Sequence, residues 1–289
     1  MTAGPTIITP PSLSSLQARI RNAAIAGVRP ARRLELIVAD TAICQLLPPG
    51  VVKGGAAMEI RFGEAETRAT RDLDAARAAD LTLERYLDVL DERLAEGWAG
   101  FAGTVREIGG PSPREVPPDY VMRPFQIRLS YKSSFWFNVK FELGRDEIGS
   151  TANPEIRISD SIVALFARLG LPKPAPIPLL PIDHQMAQKL HASSWLDKNG
   201  ENDRAHDLVD LQLLVRDEAP DLACVGVTAR RLFASRHAQL WPPTVIPHNN
   251  WDTLYATAAE GLDVIRTVDG AVAWANELIA RIDAASAAG

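Results

Sequence analysis

Val51-Val52-Lys53-Gly54-Gly55, followed at 68–74 by Arg68-Ala69-Thr70-Arg71-Asp72-Leu73-Asp74, decides how this chain is read. A β-branched pair that runs into two glycines and then into residues 56–62 reads as strand, tight turn and short helix. Glycines at such a turn let backbone amides approach an anion, and the helix N-terminus behind them favours phosphate. The same two glycines also suit an ordinary tight turn. In the second piece, alternate residues of a strand share a face, so Asp72 and Asp74 point together while Leu73 points into the core. Carboxylates held side by side repel, and a hard divalent cation with oxygen ligands resolves the conflict. Surface ion pairs to Arg68, Arg71 and Arg77 resolve it too.

Working outward, Leu13, Leu16, Ile20 and Ile25 keep helical spacing after Ser12, and a second helix follows Pro30 and ends by Pro48-Pro49-Gly50. Leu83, Tyr86, Leu87, Leu90 and Leu94 predict an amphipathic helix over 81–98. The period then changes. Residues 98–105, 121–131 and 135–143 are aromatic and β-branched, with Phe125, Ile127, Leu129 and Tyr131 alternating, and read as antiparallel strands added to the sheet. The proline-rich run at 171–181 predicts a domain boundary, dividing the chain into 1–172 and 173–289. Beyond it the pattern gives helices near 183–197, 203–217, 227–235, 251–266 and 270–285 and no strand. The expected fold is α/β: an N-terminal sheet with helices, then a helical half. The first ten or so residues, rich in Pro and Thr, are expected to be loose.

The 289 residues carry a net charge of −5, which excludes a binder driven by overall basicity. Charge is unevenly spread, because residues 1–34 hold Arg19, Arg21, Arg29, Arg32 and Arg33 and no acid. Two cysteines, Cys44 and Cys224, cannot build a disulfide framework. With no apolar run near the roughly 20 residues that span a bilayer and no signal-peptide pattern, the expectation is a cytoplasmic protein without membrane association.

A third acid is embedded in Phe135-Trp136-Phe137-Asn138-Val139-Lys140-Phe141-Glu142-Leu143. If that strand lies beside the one carrying Asp72, Glu142 can complete a three-carboxylate cluster; the plainer reading is that Glu142 faces water, with Lys140 on the same side. In the second half, Ala187-Gln188-Lys189-Leu190-His191-Ala192 precedes Arg204-Ala205-His206-Asp207-Leu208-Val209-Asp210-Leu211. Arg204, Asp207 and Asp210 follow an i, i+3, i+6 spacing that lines one helix face. A Lys opposite those acids is equally a buried structural ion pair. His184, His191 and His206 lack metal-ligand spacing and read as helix packing.

The order of strand, Gly-Gly turn, helix, Asp-x-Asp strand and later acid resembles the nucleotidyltransferase fold of DNA polymerase β-type enzymes. Lys-Gly-Gly followed by R-x-T-x-D-L-D, with A-x-K-x-x-A and R-x-x-D-x-x-D-L in the second half, resembles the two signatures of the AbiEii/AbiGii nucleotidyltransferase toxins. Within these, the chain is most similar to the MenT toxins of type IV toxin–antitoxin systems, over about residues 35–285. Ala56 departs from the pattern, since that family usually has Ser or Thr after the glycines.

The resemblance implies transfer of a nucleoside monophosphate from an NTP to the 3′ end of tRNA, blocking translation, with Mg2+ as cofactor and a cognate antitoxin as partner. It makes Asp72, Asp74 and Glu142 metal ligands. Lys53, Gly54, Gly55 and Arg68 would hold phosphates, Lys189 would contact the triphosphate, and Asp210 would orient Lys189 or the nucleotide, with Asp207 beside it. Thr70 becomes a regulatory position, because some antitoxins paired with this family resemble kinases. The Arg19–Arg33 segment, with Arg230 and Arg231, is the expected RNA surface. Rival expectations are a small-molecule or protein acceptor, or a silent member that only binds a partner.

Overall fold

The computed structural model describes residues 9–27, 29–109, 122–196 and 200–287. The expected loose start over 1–8, the predicted strand residue Val121 and the end of the predicted helix at 197 lie outside these residues. The chain divides into two compact units, Met1–Leu179 and Leu180–Gly289.

The first unit is built on a seven-stranded mixed sheet, in the order β3-β4-β5-β2-β1-β7-β6. Helices α1 (Leu13–Gly27) and α2 (Ala31–Cys44) precede β1 (Gly50–Lys53), α3 (Gly54–Phe62) and β2 (Asp72–Arg77). Thr82 caps α4 (Leu83–Glu96) by accepting from the Arg85 amide, so this helix begins two residues later than the apolar spacing alone indicates. β3 (Phe101–Glu107), β4 (Arg123–Tyr131) and β5 (Ser134–Gly144) form the expected antiparallel addition, and β5 joins β2 in parallel. β3 starts at Phe101 rather than at Trp98, because Gly97, Ala99 and Gly100 all take positive φ and turn the chain first.

Between β5 and the proline-rich run the structure adds β6 (Glu155–Arg157) and α5 (Asp160–Leu169), capped by Ser159. The proline-rich run is not a pure connector. Ile177–Leu179 forms β7, which pairs with β6 and, through Val52 and Leu179, with β1. A short strand beside another short strand tolerates Pro178 because few ladder bonds are needed there. The first unit therefore ends at Leu179, seven residues past the expected boundary.

Alternation decides which face of the sheet is buried. Leu73, Phe125, Ile127, Leu129, Val139, Phe141 and Leu143 point inward and share one cluster with Leu34, Ile37 and Val38 of α2 and Tyr86, Leu90 and Leu94 of α4. The intervening residues, Asp72 and Asp74 among them, fall on the opposite face.

The second unit is helical: α6 (Ile182–Ser194), α7 (Ala205–Glu218), α8 (Leu222–Arg236), α9 (Trp251–Ala259) and α10 (Val268–Ala287). Leu190, Leu208, Leu211, Phe233, Trp251, Tyr255 and Ile282 are among its fully buried side chains. α9 stops at Ala259, short of the expected 266. Asn202 fastens α6 to α7, donating to the Ala192 and Trp195 carbonyls while accepting from the Arg204 amide.

Candidate active site

The glycine turn and the Asp-x-Asp strand meet because β1 runs antiparallel to β2 with Lys53 opposite Asp74. Gly54 takes φ +64°, and a Cβ on it would lie 2.0 Å from Asp74 Oδ2. The carboxylate of Asp74 thus lies directly against the start of α3, where only glycine leaves room for it. A Cβ on Gly55 would lie 2.7 Å from Thr70 Oγ1 and 3.4 Å from Arg68 Nη2. Lys53, Gly54, Gly55, Arg68, Thr70 and Asp74 are therefore brought together around one turn. Gly54→Ala is expected to cost about 1–2 kcal/mol in backbone strain and to displace Asp74. Denaturant unfolding checks it; an unchanged midpoint contradicts this picture of the turn.

Glu142 stands on β5 at the register position of Asp74, and Lys140 at that of Asp72. Lys140 Nζ lies 3.0 Å from Asp72 Oδ2 and 2.6 Å from Glu142 Oε1. The bond to Glu142, then that to Asp72, holds the ammonium above the usual lysine range. The reading in which Glu142 and Lys140 share the water-facing side is thus the one observed. The condition for a three-carboxylate cluster is met in register, since β5 lies beside β2, although among the described residues no three His, Cys, Asp or Glu side chains are placed to hold a metal ion in this arrangement. The donor set at Asp72 and Asp74 nevertheless suits a hard divalent cation: both are carboxylates, both face the same way, and a cation, the Lys140 ammonium, already sits among these acids.

Behind this face lies a group that sequence reading missed. Asp40 is 4% exposed on α2, and its Oδ1 has no hydrogen-bond partner. Burial first, then Glu59, Asp72 and Asp74, push its carboxyl well up. The available signal was one acid inside the apolar run Ile37-Val38-Ala39-Asp40-Thr41-Ala42-Ile43. Glu59, on α3, is buried and ion-paired to Arg33 at 3.2 Å. Burial pushes its carboxyl up to about 7, with Arg33 pulling the other way. Because the folded value exceeds the ordinary 4.5, this stability is complete below pH 4.5 and is lost as pH rises through 7. Glu59→Gln is expected to flatten that decline by about 3 kcal/mol in unfolding titrations. A decline of unchanged slope would place the burial effect elsewhere.

In the second unit Lys189, Asp207 and Asp210 do come together. Lys189 Nζ lies 2.8 Å from Asp207 Oδ1 and 2.5 Å from Asp210 Oδ2, so the two carboxylates hold the ammonium between them. All three are buried, Asp210 completely. Burial pushes the Asp207 carboxyl up, but Lys189, His206 and Arg204 outweigh it and hold it far below the usual range. Arg204 is the N-cap residue of α7, one position before the helix that carries the two acids, and its charge acts on Asp207. His191 packs edge-on against Phe233, as a packing histidine should.

Part of the expected basic surface is spent on internal contacts, while Arg21, Arg29 and Arg32 stay exposed. Arg19 donates to the Leu169 carbonyl, Arg33 to Glu59 and the Thr67 carbonyl, and Arg230 to Asp283 and Ser286. Arg32 lies over the Phe137 ring and is paired with Glu35.

A mixed sheet that sets a glycine turn against paired strand carboxylates is the architecture of a nucleotidyltransferase. The family model described as "Nucleotidyl transferase AbiEii toxin, Type IV TA system" matches residues 38–276, and the chain belongs to that family. In three dimensions it is similar to MenT4, a nucleotidyltransferase toxin from Mycobacterium tuberculosis H37Rv, with a TM-score of 0.51 and 15% identity, over 94% of this chain and 98% of that one. None of the curated proteins matches it in sequence. Among the described residues no helix is long and apolar enough to cross a membrane.

Proposed function

We propose that this toxin transfers a nucleoside monophosphate from an NTP to the 3′ end of tRNA in the cytoplasm, blocking translation until its antitoxin intervenes. The observation that carries the reading is the packing of Asp74 against Gly54, with Asp72 on the same strand face. Asp72 and Asp74 are the residues that would hold Mg2+. When bound, such an ion supplies positive charge to the oxygens between which the nucleotidyl group moves. Glu142 is the further acid of this face, in competition with Lys140.

The candidate residues have separable tasks. The amides of Gly54 and Gly55 bind phosphate oxygens at the start of α3, and Lys53 and Arg68 add positive charge. Because Ala56 has no hydroxyl, backbone amides and these cations carry the phosphate contacts. Lys189 is the lysine that the resemblance assigns to the triphosphate, with Asp210 and Asp207 fixing its position. Thr70, packed over Gly55, is the control point: a phosphoryl group there adds about −1.5 to −2 charge beside the phosphate-binding turn. Thr70→Glu is expected to weaken NTP binding at least tenfold in equilibrium dialysis, and wild-type affinity in that variant contradicts the assignment.

The test of the function is incubation of the purified protein with total RNA, Mg2+ and each labelled NTP in turn. Label in tRNA-sized species is the expected result. Label only on a protein or a small molecule replaces the acceptor, and no labelled product with any acceptor indicates a silent member.

A further inference from the structure

The outward face of the sheet does not end at the carboxylates. Cross-strand partners point to the same side, so the register carries that face from Asp72 to Lys140 on β5, to Gln126 on β4 and to Arg106 on β3. Strands lie about 4.8 Å apart, which places β3 roughly 14 Å from β2. One row along, Asn138 and Arg128 are partners. A register shift between Leu129 and Ser130 lets Trp136 and Phe137 both turn inward and brings Phe135 out beside Arg128. Phe135 is 46% exposed, and the Arg128 guanidinium lies 4.2 Å from its ring centroid. Among the outward positions of β3, β4 and β5, Glu142 is the one acid, against Lys140, Arg128 and Arg106.

We infer that this face is the docking surface for the single-stranded 3′ end of the acceptor RNA, with a base stacked on Phe135 and phosphates met by Arg128 and Arg106. The inference rests on the proposed transfer to RNA. Single strands are held by cations that follow the backbone and by aromatic rings that take bases on their faces, and this strip pairs both. Arg128 has no carboxylate partner among the described residues, so a phosphate need not displace one. Arg106 is hydrogen-bonded to the neutral Gln126 side chain, which leaves its charge uncompensated by that partner. The strip is continuous with Asp72, so a chain lying along it delivers its end to the carboxylates.

The test separates docking from chemistry. Binding of a fluorescein-labelled single-stranded RNA 12-mer with a free 3′-hydroxyl is measured by anisotropy on the full chain, in EDTA so that no transfer occurs, across a salt series. Phe135→Ala is expected to weaken binding by about 5- to 150-fold, and Phe135→Trp to retain it. Arg128→Gln is expected to flatten the slope of log affinity against log salt by about 0.7. Phe135 is a surface residue, and circular dichroism confirms that each variant is folded. Wild-type affinity and slope in both Phe135→Ala and Arg128→Gln overturn the inference, as does a wild-type protein that binds an acidic peptide but no RNA. If the wild type labels no RNA when Mg2+ and NTP are added, the proposed function fails whatever the anisotropy shows; if labelling persists while the variants bind normally, the docking surface alone is wrong.

Discussion

Asp72→Asn is expected to lower nucleotidyl transfer by on the order of a thousandfold while the protein stays folded, and Asp74→Asn to do the same. The reason is the charge these side chains present together: an amide keeps the shape but cannot serve as an anionic ligand for a hard cation, and the several kcal/mol of charge stabilisation such an ion supplies are lost. Neither change should unfold the sheet. Asp72 is more than a third exposed, and its pairing with Lys140 is a surface ion pair of small worth. Single-turnover transfer and thermal unfolding, measured on the same preparations, check both halves of the expectation. Full activity in either variant contradicts the assignment of these carboxylates.

Lys189→Ala has a different signature. It removes the ammonium that buried Asp207 and Asp210 share in the second unit, and breaking a buried pair in this way costs about 3–5 kcal/mol. Loss of activity in that variant therefore says nothing about the triphosphate. The informative protein carries Lys189→Met, Asp207→Asn and Asp210→Asn together, which removes all three charges and is expected to recover most of the stability. If it is stable and inactive, the cluster has a role in the reaction; if stability and transfer return together, the cluster only holds α6 to α7.

Much of the first unit was legible because its signals are local. The positive φ at Gly54 demands glycine, and the alternation of Phe125, Ile127, Leu129 and Tyr131 assigns a face to each residue of β4. β7 was not legible, since Pro178 sits in a composition that reads as linker and the strand exists only through its partners β1 and β6. Spacing placed Lys189, Asp207 and Asp210 together, but their burial depends on packing between helices that periodicity cannot supply. The same limit applies to Arg19 and Arg33. Their charge was visible, whereas the Leu169 carbonyl and the Glu59 carboxylate that occupy them come from distant parts of the chain. Phe135 read only as part of an aromatic strand, and the register shift that turns it outward comes from its pairing with β4.

The central claim, that a nucleoside monophosphate is moved and pyrophosphate leaves, is tested most directly by comparing α-labelled with γ-labelled NTP in the same reaction with RNA and Mg2+. The account predicts that the α label appears on RNA, that the γ label appears in pyrophosphate, and that Asp72→Asn abolishes both. Transfer of the γ label to RNA, or RNA labelling undiminished by Asp72→Asn, would contradict it.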